Sequence, residues 1–161
     1  MLEELKIDIA AQALYISERL TTSGKAKYPE LLRLAMEMGN DTSLVTALNN
    51  GLFNPTYLRK KPKGGYSEVK MPVNAPETLA EGEFNRFYIR ALCRRAIEEG
   101  HGVLKIYRAK PVHNPRPESE ILIGQTVDAH KLLQDLRTNI GIETALGVPP
   151  GPNSGLSVKL A

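Results

Sequence analysis

The stretch from Phe53 to Val73 constrains this chain more than any other. It holds Pro55, Pro62 and Pro72, with Gly64 and Gly65 between them. Proline removes a helix donor and clashes with the preceding turn, while paired glycines favour turns. No long helix can run through the stretch, so the periodic segments on either side must fold as separate blocks. The resulting reading is an N-terminal helical unit over 1–52, a basic Pro/Gly connector over 53–73, an α+β unit over 74–147 and an extended tail over 148–161. Inside the connector, Tyr66 to Met71 alternates well enough for a short strand.

Before the connector, apolar residues at Leu5, Ile9, Leu14, Ile16 and Leu20 predict an amphipathic helix over 2–20, broken by Ser23-Gly24. Pro29 suits the first turn of a short helix reaching Met38. Asp41 or Thr42 caps a third helix that ends near Gly51. After the connector, Asn74 with Glu77, or Thr78 with Glu81, has capping-box spacing. A long helix follows, with Ile89, Leu92, Cys93, Ala96 and Ile97 as its apolar stripe, and Gly100 and Gly102 end it. Val103 to Arg108 predicts a strand, Ile121 to Ile123 a second, and Ala129 to Thr138 a helix capped by Asp128. In the tail, Leu156 to Leu160 alternates; it can add an edge strand, dock on a neighbouring subunit or stay disordered. The expected class is α+β and mostly helical: a three-helix N-terminal unit, then a long helix with a small antiparallel sheet and one further helix.

With 161 residues, 42% of them hydrophobic, the chain suffices for one ordinary domain, or for a helical domain joined to a second small unit. One cysteine, Cys93, excludes an internal disulfide framework and a cysteine-based zinc cluster. No apolar run approaches the roughly 18–20 residues of a membrane span, and acids stand near the start where a secretory signal carries bases. The expected location is the cytoplasm, or a virion if the chain is an assembly subunit, with no membrane partner.

The formal net charge is only +3, so its distribution matters more than its total. Arg59, Lys60, Lys61, Lys63 and Lys70 face Glu68 alone over 59–70. Arg86, Arg90 and Arg94 stand at i, i+4 and i+8 of the long helix, with Arg95 beside them. Glu83 and Glu98 can neutralise the ends of that row and leave Arg90 without a local acid. Phosphate backbone is one partner that fits, since Arg offers it bidentate donors. Acids elsewhere in the fold, or across a subunit interface, are another. Lys105 and Arg108 on the following strand would extend a phosphate surface, and Tyr66, Tyr88 and Tyr107 are candidate stacking groups.

The sharpest local pattern is Leu31 to Asn50, with Ala35 for close helix approach, Gly39 at the turn, and Leu34, Val45 and Leu48 to pack two helices together. This segment resembles the helix-turn-helix of phage-repressor-type DNA-binding domains. The resemblance implies that the second helix enters the major groove and presents Asp41, Thr42, Ser43 and Thr46, with Asn49 or Asn50 further along. That helix carries no Arg, Lys or Gln. An ordinary packed helical hairpin, or a protein-docking one, satisfies the same pattern.

Catalytic signals are thin. Glu68-Val-Lys70 has the short Glu-x-Lys form of a metal-dependent nuclease strand, a form that recurs by chance. His101, His113 and His130 have no ligand spacing, and Cys93 falls within the apolar stripe. No cofactor, metal site or catalytic residue is expected. The expected function is non-enzymatic nucleic-acid binding, through the basic helix and the helical hairpin. Its alternative is an assembly subunit, for example of a phage or virion, whose tail contacts neighbouring copies; a metal-dependent nuclease is a remote alternative. A homo-oligomer or larger assembly is expected in either case.

Overall fold

The computed structural model describes residues 1–115, 117–140 and 155–161. The protein is α+β and mostly helical. In chain order its elements are α1 (Leu2–Ala10), α2 (Thr22–Met38), α3 (Asp41–Leu48), β1 (Thr56–Lys60), β2 (Tyr66–Lys70), α4 (Ala75–Glu98), β3 (Val103–Arg108), α5 (Pro117–Glu120), β4 (Thr126–Asp128), α6 (Ala129–Thr138) and β5 (Leu156–Leu160). They divide into two compact units. One combines Met1–Tyr15 with Glu81–Ala161, and the other is Ile16–Ala80. The sequence division differs: α1 groups with the C-terminal unit, and the expected connector lies inside the other one.

The discontinuous unit is built on the antiparallel sheet β4-β3-β5. Leu104 and Ile106 of β3, Val127 of β4, and Leu156 and Val158 of β5 form one buried cluster with Ile89, Cys93 and Ala96 of α4 and Leu132, Leu133 and Leu136 of α6. The stripe read on the long helix is therefore its core face. Asp128 caps α6 as expected, accepting from Lys131 N at 2.8 Å. The second strand is displaced: residues 121–124 form turns and the pairing falls to Thr126–Asp128. Leu156 to Leu160 pairs with β3 in register Leu104↔Leu160 to Arg108↔Leu156. Leu156, Ser157 and Val158 are buried there. That segment completes the sheet of its own unit, so a neighbouring copy is not needed to explain its strand pattern. The rest of the tail, to 154, lies outside the described residues.

In the continuous unit, α2 does not wait for Pro29. It starts at Thr22, because the Thr21 hydroxyl caps it by accepting from Gly24 N at 3.0 Å. Ser23-Gly24 is thus the first turn of a helix and not a break. Glycine is used here for close approach: a Cβ on Gly24 would stand 2.3 Å from the Leu52 carbonyl oxygen. That oxygen accepts from Thr21 N at 2.8 Å and from the Thr21 hydroxyl at 3.2 Å. Leu20 and Phe53 form an antiparallel bridge beside it. The helix expected over 2–20 accordingly stops at Ala10, and Gln12 takes a positive φ of 54°. α3 is capped one residue earlier than expected: Asn40 accepts from Ser43 N at 2.9 Å, and Ser43 Oγ accepts from Asn40 N at 3.0 Å. Tyr28, Leu32, Ala35, Leu44, Leu48 and Leu52 are buried.

The expected connector is a β-hairpin. β1 and β2 pair antiparallel from Thr56↔Lys70 to Lys60↔Tyr66. The loop between them is closed by Lys61 N to Gly65 O at 3.0 Å and by Gly64 N to Lys61 O at 3.1 Å. Gly64 and Gly65 both have positive φ, 89° and 76°, which side chains with a Cβ rarely adopt.

Candidate nucleic-acid interface

The basic residues named from the sequence fall into two physically different settings. In the discontinuous unit most of them are neutralised. Arg86 and Arg90 are fully buried, at 0% exposure. Their anions come from α1, where Glu4 and Asp8 stand at i and i+4 on one helix face, and from Glu83 of α4 itself. Arg90 Nε donates to Glu4 Oε2 at 2.9 Å, while its Nη1 and Nη2 each donate to one oxygen of Asp8 at 2.7 Å. Arg86 Nη1 donates to Glu83 Oε2 at 3.1 Å, its Nε to the Leu136 carbonyl at 3.3 Å, and its Nη2 lies 3.5 Å from Asp8. Arg137 of α6 closes the network on Glu4 at 2.6 Å. Three carboxylates thus face three guanidinium groups. The expectation that Arg86 and Arg90 grip phosphate is corrected by this burial: the row's counterions are inside the same unit.

Burial by itself raises the Glu4 pKa, but the hydrogen bonds and charges of Arg137 and Arg90 outweigh it and hold the carboxyl below its ordinary value. Glu83 is different. Desolvation dominates over the attraction of Arg86, and its pKa is raised. Arg94 is half-buried, 3.5 Å from Glu98 and 3.7 Å from Glu4. Arg95 is exposed and donates to Glu99 at 2.7 Å. Arg108 pairs with Glu120. Lys105 is exposed on β3, opposite Lys159. Cys93 is buried, as its place in the stripe implies.

The continuous unit is the reverse case. Residues 16–80 hold nine basic and six acidic side chains, and the remainder of the chain holds twelve of each. The whole formal excess of +3 therefore belongs to this unit. Lys25 pairs with Glu18, and Arg33 with Glu30 and Glu37. Arg59, Lys60, Lys61, Lys63 and Lys70 are all exposed on the hairpin, and among the described residues none forms an ion pair or side-chain hydrogen bond. Glu68, the hairpin's one acid, accepts from the Thr56 hydroxyl at 2.6 Å. Among the described residues no three His, Cys, Asp or Glu side chains gather as a metal site would require.

The pairing register sorts the hairpin's side chains. Thr56, Leu58, Lys60, Tyr66, Glu68 and Lys70 share one face, since strand residues alternate and Lys60 is opposite Tyr66. Leu58 and Tyr66 are 68% and 64% exposed on it. The other face carries Tyr57, Arg59, Ser67 and Val69. There Arg19 covers the Tyr57 ring at 4.3 Å from its centroid. Sequence reasoning found the cations and Tyr66 but missed β1 and the exposure of Leu58. The signal for β1 was available in Thr56-Tyr57-Leu58, a β-favouring run facing Tyr66 to Lys70 across a Gly-Gly loop.

The helical hairpin of α2 and α3 belongs to this same unit. Thr42 and Thr46 are exposed on α3, and the Thr46 hydroxyl donates to Thr42 O at 3.0 Å. Ser43 is committed to the capping box with Asn40. Comparison with protein-family models, curated proteins and solved structures found no match.

Proposed function

We propose that this protein binds nucleic acid, and that the β1–β2 hairpin supplies its phosphate grip. The observation that carries this reading is the set of five exposed hairpin cations without ion pairs among the described residues. Cations held close together repel one another, and an anionic polymer relieves that repulsion while releasing its own counterions. The basic helix of the sequence reading drops out of the interface, since Arg86 and Arg90 have internal partners. Thr42 and Thr46 on α3, in the same unit, add neutral polar groups of the kind that meet base edges.

The test is fluorescence anisotropy with labelled single-stranded and duplex oligonucleotides across a salt series. Binding is expected to weaken steeply with salt. Changing Lys60, Lys61 and Lys63 together to Gln should flatten the slope of log affinity against log salt by about 0.7–0.9 for each lysine that meets a phosphate. A matched Arg95→Gln, Lys105→Gln variant should leave the slope unchanged. No binding to any oligonucleotide at about 50 mM salt, or an unchanged slope in the hairpin variant, overturns the proposal.

A further inference from the structure

The hairpin's outward face has more than charge, and that surplus points to which form of nucleic acid it holds. A surface that binds only phosphate backbone needs cations alone. Here a tyrosine at 64% exposure and a leucine at 68% exposure stand among the cations, on the same face. Tyr66 is directly opposite Lys60, and Leu58 is its diagonal neighbour across the pair, a spacing of roughly 7–8 Å. No ring contact or side-chain hydrogen bond within the described residues engages Tyr66, in contrast to Tyr57, which Arg19 covers, and Tyr107, which has Lys159 at 5.8 Å. A ring and an aliphatic chain side by side offer a ligand apolar area to cover, worth roughly 25 cal/mol per Å² buried.

We infer that this face is a stacking platform for an unpaired nucleic-acid strand: a base stacks on Tyr66 and packs against Leu58, while Lys60 and Lys70 hold the adjoining phosphates. The inference rests on the nucleic-acid reading above and adds strandedness to it. A duplex keeps its base faces stacked on one another, so it would engage the lysines and leave the ring unused. A single strand offers both its phosphates and its base faces. Four of the five hairpin cations are lysines, whose compact charge on a flexible stem follows an irregular backbone better than the fixed Arg fork does.

The test uses the full chain with a labelled single-stranded oligonucleotide and the duplex of the same sequence. The single strand should bind more tightly. Tyr66→Leu should weaken single-strand binding about tenfold, with the salt slope unchanged, and Tyr66→Phe should retain it. The chain has no tryptophan, so Tyr66→Trp creates a single indole whose emission should be quenched by the single strand and far less by the duplex. Equal binding of both forms, an unaffected Tyr66→Leu variant, or an unquenched indole overturns the platform while leaving a charge-only grip standing. Absence of binding to either form overturns the nucleic-acid reading itself.

Discussion

Arg90 of α4 and Asp8 of α1 form a two-pronged ion pair inside the protein, with both guanidinium nitrogens at 2.7 Å from the two carboxylate oxygens. Arg90 is at 0% exposure and Asp8 at 3%. The pair joins residues 82 positions apart in the chain, and Glu4 and Arg137 extend it.

Arg90→Ala should therefore destabilise the protein by about 3–5 kcal/mol, because it leaves Asp8 and Glu4 buried with less compensation. Arg95→Ala, on the same helix but paired with Glu99 at the surface, should leave the urea midpoint unchanged within error. Equal midpoint shifts in the two variants would show that the network does not hold α1 to its unit.

Two of the network's three carboxyls, Glu4 and Glu83, should respond oppositely to acid. Glu4 has a folded pKa below the ordinary 4.5, so its stabilisation is complete above that value and is lost as pH falls through the folded pKa. Glu83 has a raised folded pKa, so its contribution is complete below the ordinary value and is lost as pH rises through the folded pKa. Glu4→Gln should flatten the loss of unfolding free energy below about pH 4.5, and Glu83→Gln should flatten the loss above it. Urea titrations at stepped pH check both, and slopes parallel to the unsubstituted protein's would contradict them.

Cys93 should be inert in the folded protein. Burial is the main cause that pushes its thiol up to about 12, and the side chain is sealed in the core at 0% exposure. A thiol reagent at about pH 8 should label it only after urea is added, since thiolate is the reacting form. Rapid labelling without denaturant would contradict the packing of α4 on its sheet.

Gly24→Ala should destabilise the continuous unit by about 1–3 kcal/mol, an overpacking effect. Its methyl would stand 2.3 Å from the Leu52 carbonyl oxygen, which the Thr21 hydrogen bonds hold in place. Circular dichroism and thermal unfolding measure the effect; an unchanged melting temperature would mean that the Leu52 carbonyl yields freely to the added methyl.

The regular elements that local chemistry dictates were legible in the chain. Val103 to Arg108 and Ala129 to Thr138 with its Asp128 cap lie where alternation, helical period and capping put them, and Leu156 to Leu160 takes the edge-strand form, one of the three that its alternation left open. Residues with a second, non-local role were not legible. Ser23-Gly24 looks like a helix break until the Leu52 carbonyl is seen beside it. Leu14, Ile16 and Leu20 fit a helical period, yet Leu20 bridges Phe53.

The distribution of basic residues shows the same division. The sequence by itself determined that there are two concentrations of positive charge, one in the Pro/Gly stretch and one along the long helix. Which of them faces outward was decided by tertiary structure alone. Opposite charges attract through space without regard to chain separation, and Glu4 and Asp8 are brought onto Arg86 and Arg90 only when α1 packs against α4. The hairpin lysines have no such partner among the described residues, so their charge stays at the surface.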